Sequence, residues 1–198
     1  MISISHKEFT KSTPFEEVDH LSAGQVLERS AQLSPQKVAL IYKGERMTYE
    51  QLNEKVNSFA SGLYELGLKK GDRVVINLPN SPELVIAFYG LAKLGIITTW
   101  CNPIYRGKEL GFILKNSGAK GILIRDEFEG FDYRRMVEKA REESPLEHII
   151  TVGRKGSLNF NELLNQGKGK SLPQTTIDPL KDFIKIIYTS GATGIPKG

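Results

Sequence analysis

Apolar side chains recur along this chain at helical spacing in three long segments, each preceded by a residue that can cap a helix. Ser22 and Thr48 are each followed three residues later by glutamine, the pattern of a capping box, and Ser81 is followed by proline at the first helical position. These signals predict three helices. Their expected core residues are Val26, Leu27, Ala31 and Leu33, then Leu52, Val56, Phe59, Ala60, Leu63 and Leu66, then Leu84, Val85, Phe88, Leu91 and Leu94.

Short, continuous apolar runs between the helical segments predict β-strands. A strand at 38–42 and a partner that ends at Met47 flank a Lys-Gly turn, which predicts a hairpin. Further strands are expected at 74–78, 96–100, 121–124, 149–152 and 183–188, with shorter helices at 109–116, 136–140 and 160–164 and a long loop at 165–182. Strands that are apolar on both faces and alternate with helices are typical of a parallel sheet. We therefore predict an α/β fold, a layered, largely parallel sheet flanked by helices.

The chain divides by composition into three parts. Residues 1–21 form a polar N-terminal extension, expected to wrap the domain with Phe9, Phe15 and Val18 as isolated anchors. Residues 22–182 hold the alternating strands and helices, and residues 183–198 hold the last strand and the loop after it.

Composition and charge indicate a globular chain. Of its 198 residues 39% are hydrophobic and 25% are charged, as in soluble globular proteins. The net charge of +4 comes from scattered residues, so nucleic-acid binding is not needed to explain it. The N-terminus lacks the apolar core of a signal peptide, and no apolar run approaches the ~18 residues of a membrane span. We expect a cytoplasmic protein without a membrane span.

The cysteine and histidine content limits redox and metal chemistry. Cys101 is the one cysteine, so no intrachain disulfide can form, and its place after an apolar run predicts a buried structural thiol. His6, His20 and His148 lie far apart and show no metal-ligand spacing. We predict no metal ligand in this chain.

The candidate chemistry lies in the last eleven residues, Tyr-Thr-Ser-Gly-Ala-Thr-Gly-Ile-Pro-Lys-Gly at 188–198. Glycines allow a close backbone approach, and exposed N–H groups with hydroxyls and a lysine can bind phosphate oxygens. An ordinary surface turn is the alternative. The candidate phosphate-binding residues are Thr189, Ser190, Gly191, Ala192, Thr193, Gly194 and Lys197.

The spacing in this loop excludes two other phosphate loops. In a Walker A loop the lysine precedes Ser or Thr, whereas Lys197 precedes Gly198. A dinucleotide loop needs three glycines in the order G-x-G-x-x-G, and Gly191 and Gly194 have no third glycine in that register.

Residues 188–198 closely resemble the phosphate loop of the adenylate-forming (AMP-binding) superfamily, which includes acyl-CoA synthetases, luciferases and peptide-synthetase adenylation domains. The family pattern is Tyr/Phe-Thr-Ser-Gly-Ser/Thr-Thr-Gly-x-Pro-Lys-Gly, and this chain departs from it at Ala192, which lacks a hydroxyl. The resemblance extends from about Ser22 onward, through segments at 47–52, 71–74, 78–83, 87–95, 102–110 and 178–182.

The resemblance implies an enzyme that joins a carboxylic acid to ATP as an acyl-adenylate, releases pyrophosphate and passes the acyl group to a thiol, usually of coenzyme A. Mg²⁺ is implied as well. Hydroxyls of Thr189, Ser190 and Thr193, with Lys197, would bind the β- and γ-phosphates. The family's catalytic and metal-binding motifs follow this loop, so the chain is expected to be an N-terminal portion that is inactive alone. The implied partners are small molecules, and the resemblance leaves open whether the protein forms a homodimer.

The segment 102–110 bears on the substrate. It resembles the Asn-Pro-x-x-x-x-x-Glu-Leu of fatty-acyl and aryl CoA ligases, where peptide-synthetase domains tend to have Asp-Pro, and we favour a medium- or long-chain fatty-acid–CoA ligase. An aryl-acid CoA ligase, a luciferase-like enzyme and a non-catalytic nucleotide-binding or interaction module are the alternatives. Asn80 and Trp100 are expected to be turn and core residues rather than substrate contacts.

Overall fold

The computed structural model describes residues 20–153, 158–188 and 198, and within them helices and strands alternate. In chain order the elements are α1 (Ala23–Leu33), β1 (Val38–Tyr42), β2 (Glu45–Thr48), α2 (Tyr49–Glu65), β3 (Arg73–Asn77), α3 (Pro82–Lys93), β4 (Ile97–Trp100), α4 (Gly107–Ser117), β5 (Gly121–Arg125), β6 (Glu127–Phe128), β7 (Phe131–Asp132), α5 (Tyr133–Arg141), β8 (His148–Val152), α6 (Phe160–Gly167) and β9 (Lys185–Ile187).

A five-stranded parallel sheet forms the centre, with the strand order β8-β5-β3-β4-β9. One core contains apolar residues of α1, α2, α3 and α6 with one face of the sheet, and a second core contains those of α4 and α5 with the other face. Strands β1 and β2 form a separate antiparallel hairpin. The predicted α/β fold with a parallel sheet between helical layers is confirmed.

The first three helices begin where their capping signals predict. Ser22 Oγ accepts a hydrogen bond from the Gln25 backbone N–H, and the Gln25 side chain accepts one from the Ser22 N–H at 2.8 Å. Thr48 and Gln51 form the same reciprocal pair at the start of α2. These caps satisfy N–H groups that the first turn of a helix leaves unpaired.

Helices α2 and α6 approach each other unusually closely. A β-carbon at Gly62, in the middle of α2, would lie 2.5 Å from the carbonyl oxygen of Leu163. A β-carbon at Gly167, the last residue of α6, would come even closer to the carbonyl oxygen of Ser58. The rings of Phe59 and Phe160 stack between the same helices, with centroids 4.4 Å apart. Glycine at these positions lets the two backbones come together.

A buried lysine joins the first three helices. The ammonium of Lys93, at the end of α3, donates to Glu28 of α1 at 2.5 Å and to Asn53 and Asn57 of α2 at 2.9 and 2.7 Å. Its side chain is 4% exposed. Burial lowers the pKa of Lys93, and the Glu28 carboxylate offsets part of that effect. The three acceptors replace the water that the ammonium loses on burial.

Among the predicted core positions, Leu33 is wrong and three residues of α3 are only partly buried. Leu33 is 65% exposed, because α1 buries Gly24, Leu27 and Ala31 and Leu33 is its last residue. In α3 the predicted Leu84, Val85 and Phe88 are half-buried, and Leu84 and Val85 pack against the first core. The fully buried residues of α3 are Ile86, Ala87, Gly90, Leu91 and Ala92.

The last predicted strand is shorter than expected, and one hairpin was not predicted. Strand β9 spans Lys185–Ile187 rather than 183–188, because its ladder with β4 begins at Lys185, paired with Thr98. Helix α6 extends to Gly167, into the segment predicted as loop. The hairpin of β6 and β7 has strands of two residues, too short to show a periodic pattern.

Candidate functional site

The candidate site lies at the edge of the sheet where β3, β4 and β9 end. Ile76, Trp100 and Ile187 are in register, so the residues that follow these strands meet at the same edge. The chain passes from β3 to β4 on one side and then crosses to β5 on the other side of β3. In open α/β sheets, ligands bind outside the carboxyl ends of strands at such a reversal.

The sequence-predicted phosphate-binding residues come directly after β9 and lie outside the described residues. They are Thr189, Ser190, Gly191, Ala192, Thr193, Gly194 and Lys197. Their role stays a prediction. The structure does describe the residues on both sides of them, Tyr188 and Gly198.

Tyr188 anchors the end of β9 to the neighbouring layer. Its ring is 7% exposed, its backbone N–H donates to the carbonyl of Trp100, and its hydroxyl bonds to the side-chain oxygen of Asn116 in α4. Burial raises the pKa of the Tyr188 phenol, so the hydroxyl keeps its proton and donates. The end of β9 is therefore held by both the sheet and α4.

Gly198 lies against the ring of Tyr188. A β-carbon built on Gly198 would be 2.7 Å from Cζ of that ring, closer than real β-carbons come. The two residues that flank 189–197 are therefore neighbours in space. The absence of a side chain at Gly198 is what permits this contact.

A lysine and a tryptophan pack together beside the same edge. The ammonium of Lys185 in β9 lies 4.4 Å from the centroid of the Trp100 ring, within the range of a cation–π contact. Trp100 also makes an edge-on contact with Phe88 of α3. It packs against the first core, and Asn80 is exposed in the bend before α3. The predicted core and turn roles of these two residues are confirmed.

Sequence reasoning missed Asn77, which organises the loop after β4. This residue is 3% exposed, and its side-chain amide donates to Cys101 Sγ at 3.1 Å and to the carbonyl of Asn102 at 3.0 Å. The side-chain oxygen of Asn102 accepts from the backbone N–H of Ile104. The sequence feature that could have identified Asn77 is its place at the end of a largely apolar strand. A buried amide there needs hydrogen-bond partners.

A second unpredicted residue holds this loop from the other side. The hydroxyl of Tyr133, at the start of α5, donates to the carbonyl of Pro103 at 2.7 Å. The guanidinium of Arg106 lies over the ring of Phe131, 4.2 Å from its centroid. The loop at 101–106 is thus fixed to β3 and to the β7–α5 segment.

Cys101 is the buried structural thiol that the sequence predicts. It is 8% exposed, and burial raises its pKa to about 12, an effect that the hydrogen bond from Asn77 partly offsets. The thiolate is the nucleophilic form of cysteine, and at neutral pH a thiol with this pKa stays protonated. Burial and the retained proton both make Cys101 a poor nucleophile.

Within residues 20–153, 158–188 and 198, no three His, Cys, Asp or Glu side chains come together as metal ligands do. In the same part of the chain, no helix is long and apolar enough to cross a membrane.

Comparison with known proteins gives one consistent group of relatives. The family model for "AMP-binding enzyme" matches residues 27–198. Triostin synthetase I of Streptomyces triostinicus is 36% identical over 174 residues, which are 88% of this chain and 32% of that protein. This chain thus spans about a third of the length of the curated relatives it matches.

Solved structures show the same similarity. A Mycobacterium tuberculosis fatty acyl CoA synthetase is 31% identical with a TM-score of 0.72, over 89% of this chain and 34% of that one. The anthranilate CoA ligase AuaEII, solved with anthranoyl-AMP, is 28% identical with a TM-score of 0.79, over 94% of this chain and 36% of that one.

Proposed function

This chain belongs to the AMP-binding enzyme family, and on that premise we propose that it supplies the phosphate-binding part of an ATP-dependent acid–thiol ligase. In the reaction, a carboxylate oxygen of the acid attacks the α-phosphorus of ATP, and the bond from that phosphorus to pyrophosphate breaks. The acyl group of the adenylate then passes to the thiol of coenzyme A, and AMP leaves. The observation that carries the proposal is the sequence of residues 188–198, placed directly after the carboxyl end of β9.

In this proposal the loop binds the leaving pyrophosphate. The hydroxyls of Thr189, Ser190 and Thr193 and the backbone N–H groups of residues 191–194 donate hydrogen bonds to the β- and γ-phosphates, and Lys197 offsets their charge. Phosphoryl transfer depends mainly on positioning and charge neutralisation, so such a loop contributes directly to the rate. The hydrogen bonds of Tyr188 support the role, because they fix the end of β9 from which the loop leaves.

Mg²⁺ and coenzyme A are the further small molecules of this proposal. Mg²⁺ bound to ATP neutralises phosphate charge.

For the acid we propose a medium- or long-chain fatty acid, with an aryl acid as the alternative. The support is the resemblance of residues 102–110 to fatty-acyl and aryl CoA ligases and the similarity to a fatty acyl CoA synthetase. An anthranilate CoA ligase is similar to the same extent, so the choice needs a measurement. Acid-dependent release of pyrophosphate by the enzyme that contains this chain, with dodecanoate and benzoate side by side, distinguishes the two.

The loop is tested by calorimetric titration of the chain with ATP and Mg²⁺. We expect Lys197→Ala to raise the Kd about tenfold, or about 1.4 kcal/mol. Lys170→Ala is the matched control, because Lys170 pairs with Glu65 away from the sheet's carboxyl edge and should leave the Kd unchanged. No binding by a chain with a folded circular-dichroism spectrum would contradict a phosphate-binding role for the isolated chain. An equal loss in both variants would contradict the role of Lys197.

A further inference from the structure

The side chain of Tyr188 contacts two residues that are far apart in the sequence. Its hydroxyl donates a hydrogen bond to the side-chain oxygen of Asn116, near the end of α4. The backbone of Gly198 packs so closely on its ring that a β-carbon there would lie 2.7 Å from Cζ and 2.9 and 3.0 Å from the two Cε atoms. These nearly equal distances place the contact over the face of the ring.

The two residues in contact, Tyr188 and Gly198, directly precede and follow the predicted phosphate loop at 189–197. The backbone N–H of Tyr188 also donates to the carbonyl of Trp100 in β4. One ring therefore meets both ends of the loop, and a hydrogen bond of its hydroxyl attaches that ring to α4.

The end of α4 that carries Asn116 is itself fixed to the central strand. The guanidinium of Arg73 in β3 donates to the carbonyls of Ser117 and Gly118 at 2.9 and 3.0 Å. These two residues directly follow Asn116 in the chain. Three further side chains of the helix are buried in the second core: Leu110, Ile113 and Leu114. The oxygen that accepts from Tyr188 therefore belongs to a firmly positioned part of the fold.

The hydrogen bond can be formed at neutral pH and removed without damage to the core. Burial raises the pKa of the Tyr188 phenol, so the hydroxyl keeps the proton that it donates. Asn116 is exposed, so the packing of α4 does not depend on its side chain. A substitution of Asn116 can therefore break this contact and leave the helix in place.

We propose that Asn116 is a positioning residue for the phosphate loop. Its hydrogen bond fixes the ring of Tyr188, and Gly198 rests on that fixed ring, so both ends of residues 189–197 are held before ATP binds. A segment with fixed ends loses less conformational entropy when it is ordered around a ligand, which raises the affinity. Because it needs this loop to bind the phosphates of ATP, the role of Asn116 rests on the proposed function.

Nuclear magnetic resonance of the full chain tests the contact without ATP. An α-proton of Gly198 over the ring of Tyr188 should resonate upfield of its random-coil position. Asn116→Leu and Tyr188→Phe should each lose most of this shift, whereas Asn116→Asp, which keeps an acceptor oxygen, should retain it. An α-proton at the random-coil position in the wild type, or an unchanged shift in Asn116→Leu, would overturn the proposal.

Calorimetric titration with ATP and Mg²⁺ tests the effect on phosphate binding. We expect Asn116→Leu to raise the Kd about fivefold, as the loss of one hydrogen bond does. Tyr188→Phe should have the same effect, and the double variant should be no weaker than either, because both act through one bond. Ser117→Ala is the control, since its hydroxyl donates to Ile113 within α4, and should leave the Kd unchanged. Additive losses in the double variant would overturn the proposal.

Lys197→Ala distinguishes a failure of this role from a failure of the proposed function. If Lys197→Ala weakens ATP binding and Asn116→Leu does not, the loop binds phosphate and the positioning role is wrong. If Asn116→Leu lowers only the urea midpoint, the hydrogen bond is merely structural and the role is wrong as well. If the folded wild-type chain binds no ATP, the proposed function and the positioning role are both overturned.

Discussion

The side-chain amide of Asn77 donates a hydrogen bond to the backbone carbonyl of Asn102 at 3.0 Å, which ties the end of β3 to the loop after β4. The same amide donates to the sulfur of Cys101. These contacts hold the central strand and its neighbour together at the edge of the sheet where Tyr188 lies. Asn77, which the apolar pattern of β3 does not reveal, therefore helps to position the loop at 101–106 together with Tyr133.

Replacing Asn77 tests this dependence. Asn77→Leu keeps the size of the side chain but removes the hydrogen bonds from the Asn77 amide to Cys101 and to the carbonyl of Asn102, so we expect the free energy of unfolding to fall by about 1 kcal/mol. Urea denaturation measures the change. Asn80→Ala is the control, because Asn80 is exposed, and should change stability by less than about 0.5 kcal/mol. A neutral Asn77→Leu would contradict the role of these bonds.

Replacing either of two neighbouring threonines of β4 with valine should change the stability of the fold, but in opposite directions. Thr98 and Thr99 are both fully buried, but the Thr98 hydroxyl donates to the carbonyl of Ile184 at 3.0 Å, whereas the Thr99 hydroxyl has no hydrogen-bond partner among the described residues. Thr98→Val should destabilise the fold by about 1 kcal/mol, and Thr99→Val should stabilise it by a similar amount. Thermal unfolding of the two variants and the wild type measures both changes. A destabilised Thr99→Val would refute the prediction.

The close approach of α2 and α6 predicts a large effect at a helical glycine. Gly62→Ala places a methyl group 2.5 Å from the carbonyl oxygen of Leu163, so the two backbones must separate, and we expect a loss of about 3 kcal/mol. Gly111→Ala is the matched control within α4, because a β-carbon there meets no atom within 4 Å. It should stabilise the helix by about 0.5–1 kcal/mol. Chemical denaturation measures the free energy of unfolding of both variants. Similar changes in the two would contradict the close backbone contact at Gly62.

Cys101 should make stability fall at alkaline pH. Burial raises its pKa from 9.0 to about 12, so between these values the folded chain keeps the thiol proton that the unfolded chain has lost. The contribution is complete below pH 9 and declines as the pH rises toward 12. From pH 8 to 10 we expect the wild type to lose about 1 kcal/mol more than Cys101→Ala. Parallel pH dependences of the two proteins would contradict the prediction.

Particular elements show how far the sequence predicted this structure. The capping boxes at Ser22 and Thr48 marked helix starts correctly, since their hydrogen bonds join residues only three apart. The buried thiol of Cys101 followed from the apolar run before it. The exposure of Leu33 and the hydrogen bonds of Asn77 could not be predicted from the sequence, because each depends on residues far away in it.

The sequence by itself determined the helices, the parallel character of the sheet and the candidate phosphate loop, since caps, apolar runs and the loop pattern are local and need no knowledge of neighbours. Only the tertiary structure decided the strand order β8-β5-β3-β4-β9, the face that α3 buries and the meeting of Tyr188 with Asn116. The physical reason is that strand pairing and side-chain packing join distant segments, and their energies depend on which surfaces meet when the layers assemble.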